Sequence, residues 1–184
     1  MNLKSTQGSP KDPAGRSAKE LAAYALLDSL GIAYTRVDHA PAMTMEDCLE
    51  IDAALGASMC KNLFLCNRQC TDFYLLLLPG DKPFRTKALS AQLGVARLSF
   101  GSGEKMEELL GVLPGAATAM GLAFDKSCRV QVLIDRELLA GERIGMHPMV
   151  NTASLAITVT DLLEKLLPAT SHTPIFVDLP RDIE

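Results

Sequence analysis

The sequence predicts an α+β fold in which a mixed, curled and barrel-like β-sheet is flanked by helices. Short apolar segments typical of strands and segments with helical periodicity follow one another irregularly, without the regular order of a parallel βαβ protein. The chain has 184 residues, of which 48% are hydrophobic and 22% are charged, which is sufficient for one domain with a sizeable core.

The first 16 residues contain glycine, proline, serine and charge with almost nothing to bury. We therefore predict a disordered tail at 1–16 and a single domain at 17–184. The first helix begins after Ser17, which forms a predicted capping box with Glu20, and it ends at Gly31. Its apolar face is formed by Leu21, Tyr24, Leu27 and Leu30.

The elements after the first helix are predicted from the same periodicities and from turn residues. A helix at 44–55 is capped by Thr44. Segment 72–78 is apolar after its first residue, so we expect a strand that is buried on both faces of its sheet. The remaining predicted helices are 86–93, 103–110 and 161–167, and the remaining strands are 33–37, 61–66, 96–100, 130–135, 144–146, 155–159 and 175–178.

Charge and cysteine usage restrict the function classes. The net charge is −4, whereas proteins that grip long stretches of phosphate backbone are normally basic, so any contact with nucleic acid must be local. The five cysteines are irregularly spaced, which favours free thiols in a reducing cytoplasm. No apolar run is long enough for a membrane span, and no secretory signal is evident.

Common catalytic motifs are absent from the sequence. There is no Gly-x-Ser-x-Gly motif and no P-loop. Cys66 and Cys70 have no histidine partners at zinc-site spacing, so we interpret them as structural thiols and predict no metal. Cys60 could be a thiolate nucleophile beside Lys61, but no supporting His-Asn pair is evident.

Three local features remain as candidates for chemistry. Lys61 and Asn62 begin an apolar strand, although a lysine there often only extends its ammonium to solvent. The small residues from Gly115 to Ala119 would let a backbone approach a ligand closely. His147 precedes a proline at a strand end, where most histidines only form structural hydrogen bonds.

Five longer segments follow one another along the sequence: DHAPAMTMEDCLEI (38–51), CKNLFL (60–65), FRTKALSAQLGVARLSFG (84–101), LLGVLPGAATAMGL (109–122) and MHPMVNTASLAI (146–157). In this order they resemble the YbaK/prolyl-tRNA-synthetase editing-domain family, and most closely its freestanding alanyl-tRNA(Pro) deacylases. The resemblance extends over about 17–178.

The resemblance implies a pocket for the aminoacylated 3′ end of tRNA. The essential lysine of the family falls on Lys61 and its pocket histidine on His147. Its Gly-x-x-x-Pro loop falls on 115–119, with Ala119 where many members have proline, a departure that bears on amino-acid preference. The residues expected to bind substrate are Met43, Thr44, Asn62, Gly115, Ala116, Thr118, Ala119 and His147. Met43, Leu49 and loop 116–119 are expected to set the pocket volume.

The expected activity is hydrolysis of mischarged Ala-tRNA(Pro) by a directed water, without a cofactor. The expected partners are the tRNA acceptor end and prolyl-tRNA synthetase, with no membrane and no DNA. Two alternatives stay open. The same fold could act on a tRNA carrying cysteine or serine, or the chain could be a non-catalytic module that binds a tRNA end or a synthetase.

Overall fold

The strands of this protein form two sheets, as seen in a computed structural model that describes residues 3–42 and 45–182. The first sheet is antiparallel, in the order β1 (Ser5–Gln7), β2 (Thr35–Asp38), β8 (Ala153–Thr158) and β7 (Arg143–Met146). The second is mixed, in the order β5 (Ser99–Phe100), β3 (Cys60–Cys66), β4 (Phe73–Pro79), β6 (Val130–Asp135) and β9 (Ile175–Val177). The α+β class is confirmed, but the strands divide into two sheets, and the curling of a single sheet is not confirmed.

The helices are α1 (Ala18–Ser29), α2 (Met45–Leu55), α3 (Thr86–Leu93) and α4 (Gly103–Leu110). A helical segment follows β8, with α5 (Val159–Asp161), a π-helical stretch at Leu162–Leu166 and α6 (Leu167–Ala169). Two 3₁₀-helices at Ala119–Ala123 and Arg136–Ala140 were not predicted. Among the described residues, no helix combines the length and the apolar character that crossing a membrane requires.

The main core lies between the two sheets and explains why the central strand is apolar on both faces. Leu75 and Leu77 on β4 pack into this core together with α1, β6 and β8. Leu76 and Leu78 point to the other face and pack against α3. All four leucines have 0% exposure, which confirms the predicted two-sided burial of the strand. On the outer face of the first sheet, α2 packs against Val37 and Ala156.

The described part of the predicted disordered tail, residues 3–16, contains an ordered strand. β1 pairs antiparallel with β2, so that Ser5 lies opposite Val37 and Gln7 opposite Thr35. The Ser9 hydroxyl lies 2.9 Å from the Tyr34 hydroxyl. The prediction was wrong for this strand because a polar segment can be ordered by backbone pairing at a sheet edge, without an apolar core of its own.

The structure confirms the serine half of the capping box that was predicted for the first helix. The Ser17 hydroxyl accepts the amide of Glu20 at 3.1 Å, which is the expected serine cap. The Glu20 carboxylate, however, accepts hydrogen bonds from Arg16 and from the Tyr24 hydroxyl. A buried carboxylate needs charged and polar partners, and these two side chains supply them.

Candidate functional site

Lys61 and His147, two of the predicted site residues, lie near the junction of the two sheets. Met59, just before β3, forms a parallel bridge with Gly145 on β7, and the Gly145 amide donates to the Ser58 carbonyl at 2.9 Å. Lys61 on β3 and His147 immediately after β7 each follow this bridge by two residues, and the two strands run in the same direction there. The topology therefore brings Lys61 and His147, far apart in sequence, to the same end of the junction.

Lys61 lies on β3, half-buried, opposite Leu78 of β4. Its ammonium donates to the Lys82 carbonyl at 2.9 Å, and Lys82 is the last residue of the turn that follows β4. An ammonium has three donors, so this contact holds the side chain while leaving two donors for other acceptors. The side chain is thus oriented by the protein and does not simply extend into solvent.

Asn62 is the next residue on β3 and is also half-buried. Its side-chain amide group donates to the Cys60 sulfur at 3.1 Å. The Asn62 Oδ1 atom is buried and has no hydrogen-bond partner among the described residues. Buried acceptors in native proteins are normally paired, so an orphan acceptor beside Lys61 suits a ligand that brings its own donor.

Cys60 precedes Lys61 and points into the main core. Burial raises the pKa of the Cys60 thiol to about 12, although the hydrogen bond from Asn62 works against this. The thiolate is the nucleophilic form, and it is almost absent at neutral pH for a thiol with such a pKa. The geometry therefore disfavours the cysteine-nucleophile alternative.

His147 is half-buried immediately after β7, and its protonation state follows from its partners. Its Nδ1 lies 3.0 Å from the Ala153 carbonyl, which can only accept, so Nδ1 carries the proton and Nε2 is an acceptor. Burial lowers the pKa of His147, with a hydrogen bond to Ala153 opposing and nearby His39 adding to the shift. His147 is therefore neutral near pH 7.

Two residues behind His147 were not predicted as part of the site. The His39 Nε2 atom lies 2.9 Å from the Ser154 hydroxyl, which lies 3.5 Å from His147 Nδ1. His39 also places its Nδ1 at 2.8 Å from the Ala40 carbonyl, so its Nε2 accepts from Ser154. His39 lies in the His-x-Pro segment (38–51) and Ser154 in the segment 146–157, but only the pairing of β2 with β8 places the two residues together.

Loop 115–119 passes beside the turn that carries His147. Gly115 is exposed with φ +91, a conformation that favours glycine, and a Cβ there would lie 3.8 Å from Nδ2 of Asn151. Ala116 is 7% exposed and donates its amide to the Leu113 carbonyl at 3.0 Å. The accessible part of the loop is therefore its Gly115 end.

The other predicted site residues differ in accessibility. Thr118 and Ala119 have 0% exposure, and the Thr118 hydroxyl accepts the amide of Met120 at 3.3 Å as the cap of a 3₁₀-helix. Leu49, expected to help set the pocket volume, is 64% exposed on α2. Met43 and Thr44 fall outside the described residues, so their predicted roles stay predictions.

Comparison with known proteins relates this chain to one family. Residues 39–165 match the profile described as aminoacyl-tRNA editing domain. The chain is 32% identical over 152 residues to the prolyl-tRNA editing protein ProX of Acetoanaerobium sticklandii, covering 83% of this chain and 92% of that protein.

Further relatives agree with this match. The chain is 34% identical over 161 residues to prolyl-tRNA synthetase associated domain-containing protein 1 of Danio rerio, covering 86% of this chain and 85% of that protein. A solved structure described as a candidate trans-editing enzyme for prolyl-tRNA synthetase has the same fold, with a TM-score of 0.66, 19% identity and coverage of 89% of this chain and 97% of that chain. The chain therefore belongs to the aminoacyl-tRNA editing domain family and is an aminoacyl-tRNA deacylase.

Proposed function

We propose that this deacylase edits in trans and hydrolyses the ester of mischarged Ala-tRNA(Pro). The observation that supports the proposal is that Lys61, His147 and the Gly115 end of the loop lie around one junction between the sheets. The names of the relatives, which refer to prolyl-tRNA editing and to prolyl-tRNA synthetase, support the choice of tRNA.

Lys61 is the proposed catalytic residue. The ester of an aminoacyl-tRNA is activated, so positioning, charge stabilisation and a directed water are sufficient to hydrolyse it. The two remaining donors of the Lys61 ammonium suit the ester carbonyl or the 3′-terminal ribose and phosphate. The backbone amide of the exposed Gly115 turn suits the developing oxyanion or the terminal adenosine.

His147 and Asn62 are proposed to bind the substrate as hydrogen-bond acceptors. The Nε2 lone pair of neutral His147 and the orphan Oδ1 of Asn62 both suit donors such as the α-ammonium of the amino acid or a ribose hydroxyl. Direct attack by water requires no acyl-enzyme, which agrees with the protonated Cys60 thiol. The 2′-hydroxyl of the substrate is the proposed proton relay, as the family resemblance implies.

Selectivity for alanine over proline is proposed to come from size. A binding site that accepts proline rejects the smaller alanine poorly, and a second, smaller site solves this problem. Forcing a pyrrolidine ring into a pocket matched to alanine costs roughly 1–3 kcal/mol by overpacking. This corresponds to roughly a ten- to hundred-fold lower rate for Pro-tRNA(Pro).

The test is a deacylation assay on tRNA(Pro) carrying alanine, proline, cysteine or serine. We expect Ala-tRNA(Pro) to be hydrolysed fastest, and Lys61→Ala to abolish this activity while circular dichroism stays native. Lys165→Ala, which removes another lysine on the C-terminal helical segment, is the control and should keep the activity. Near-normal turnover by Lys61→Ala would refute the assigned role, and preference for the cysteine or serine ester would identify a different editing specificity.

We also propose that the enzyme acts in the cytoplasm together with prolyl-tRNA synthetase, because mischarged tRNA is released there by that synthetase. Co-elution of the purified proteins during gel filtration, with and without tRNA(Pro), tests the association. Absence of any complex in both conditions would contradict it.

A further inference from the structure

We propose that Lys82 is a positioning residue for deacylation, because its buried side chain holds in place the backbone carbonyl that orients the Lys61 ammonium. This inference rests on the proposed role of Lys61. It adds Lys82, Asp135 and Glu137, none of which is among the proposed substrate-binding residues, to the parts of the protein that control the reaction.

The side chain of Lys82 is anchored between two carboxylates. Lys82 is 3% exposed, and its ammonium lies 2.8 Å from Asp135 Oδ2 and 2.9 Å from Glu137 Oε2. The contact with Asp135 is an ion pair without good hydrogen-bond alignment. Burial opposes the charged form, but the two carboxylates outweigh it and raise the pKa of Lys82, so the ammonium stays protonated.

The two carboxylates are themselves held rigidly. Asp135 is 1% exposed at the end of β6, and its Oδ1 accepts the amide of Glu137 at 3.0 Å. Glu137 also pairs with Arg181. A buried ion pair is weak evidence for stability, because apolar residues of similar volume often stabilise as well. Its rigid geometry is the property that the neighbouring site can use.

The backbone of the turn is held close to the start of β3. Pro79 lies opposite Cys60, and the Lys82 amide donates to the Pro79 carbonyl at 3.1 Å. Gly80 approaches the chain just before β3 so closely that a Cβ would lie 2.4 Å from the Met59 carbonyl oxygen. Turn 79–82 is thus fixed by its backbone at one end and by the Lys82 side chain at the other.

The consequence for Lys61 follows from the direct contact. Its ammonium donates to the Lys82 carbonyl at 2.9 Å, so a flexible four-carbon side chain obtains a defined direction. The two acidic partners also neutralise the charge of Lys82, which would otherwise repel the Lys61 ammonium. Misplacing a catalytic group by about 1 Å can cost about 100-fold in rate, so loosening this carbonyl should affect turnover.

The test is the double variant Lys82→Met with Asp135→Asn, which removes the ion pair without leaving an unpaired buried charge. We expect kcat on Ala-tRNA(Pro) to fall about 10- to 100-fold with little change in KM. In protein labelled with ¹³C-lysine, the Lys61 ε-carbon signal, assigned by its loss in Lys61→Arg, should shift. Asp125→Asn is the matched control, because Asp125 is a buried acid paired with His172 at 3.3 Å and contacts neither Lys61 nor turn 79–82.

The outcomes separate this inference from the proposed function. A kcat within twofold of the wild type together with an unchanged Lys61 signal would overturn the inference. If the wild type hydrolyses none of the esters, the proposed function fails, and the Lys61 signal still tests the positioning role. If the double variant loses its native circular dichroism, Glu137→Gln replaces it. We then expect a severalfold loss of kcat and a shifted Lys61 signal. An unchanged Lys61 signal in this variant would overturn the inference.

Discussion

His147 shows how single hydrogen bonds determine what a residue can do. The Ala153 carbonyl accepts a hydrogen bond from the protonated Nδ1, so Nε2 is an acceptor. Ser154 and His39 continue the chain of hydrogen bonds behind it, and the His39 and His147 rings lie 6.4 Å apart. Protonation of His147 would replace the Nε2 acceptor with a donor and place two positive rings close together when His39 is also charged.

We expect deacylation to be constant above pH 6.5 and to fall at lower pH. Burial lowers the pKa of His147 below its ordinary value of 6.5, so the neutral form required for accepting a hydrogen bond persists into weak acid. The rate should therefore decline only as the pH falls through that lowered pKa. Because the pKa of His147 is lower in the folded state, the unfolded chain binds the proton more readily than the folded protein. The contribution of His147 to the free energy of unfolding is therefore complete above pH 6.5 and decreases below it.

A pH-rate profile of kcat/KM for the wild type measures this effect. His147→Gln, which keeps a hydrogen-bonding side chain that does not titrate, should lose the acidic limb of the profile. An inflection of the wild type above pH 7, or an unchanged acidic limb in the variant, would contradict the assignment.

At the scale of elements, the junction between β3 and β7 is the feature that assembles the site. Gly145 permits this close approach: a Cβ there would lie 2.9 Å from the Met59 sulfur and 3.0 Å from the Ser58 carbonyl oxygen. Part of the conflict is with backbone, which cannot move aside as a side chain can. The two strands, and with them Lys61 and His147, would have to separate.

We expect Gly145→Ala to destabilise the protein by roughly 1–3 kcal/mol through overpacking and to reduce deacylation well beyond the loss of folded protein. Gly141→Ala is the matched control, since a Cβ there meets only ordinary contacts at 3.5 and 3.7 Å. Thermal unfolding and turnover of both variants provide the comparison. Equal stability and equal turnover of the two variants would show that the close approach at Gly145 has no consequence.

At the scale of the whole molecule, charge governs how tRNA is held. The net charge is −4, so the protein has no general attraction for a long phosphate backbone. Two of the exposed arginines are also paired with acids, Arg181 with Asp81 and Glu137 and Arg129 with Glu108. Recognition should therefore rely on a few contacts at the aminoacylated end.

We expect tRNA(Pro) binding to be weak and only moderately dependent on salt. If fewer than about three phosphates are neutralised, the slope of log K against log salt should be shallower than about −3. Fluorescence anisotropy with labelled tRNA(Pro) over a series of salt concentrations measures this slope. A steep slope would indicate an extended basic surface, and tight binding that is insensitive to salt would also contradict the prediction.

The sequence by itself was sufficient for features that depend on neighbouring residues. The predicted bounds of α3, α4 and β6 agree with the structure, because helical periodicity, capping residues and an apolar strand are local properties. Lys61 at the start of a strand was recognised as a site candidate in the same way, and the family resemblance assigned it the role of the essential lysine. The family and its reaction followed from those motifs.

Only the tertiary structure decided which residues from different parts of the chain are in contact. These neighbours are distant in sequence or lie across a turn. Examples are the strands that divide into two sheets, the pairing that orders β1, the contact of Ser154 with His147 and the contact of Lys61 with the Lys82 carbonyl. Such contacts depend on strand register and on which faces are buried together. No local pattern in the chain encodes them, since a polar residue such as Ser154 or Lys82 has the same local signature whether it faces solvent or supports a site.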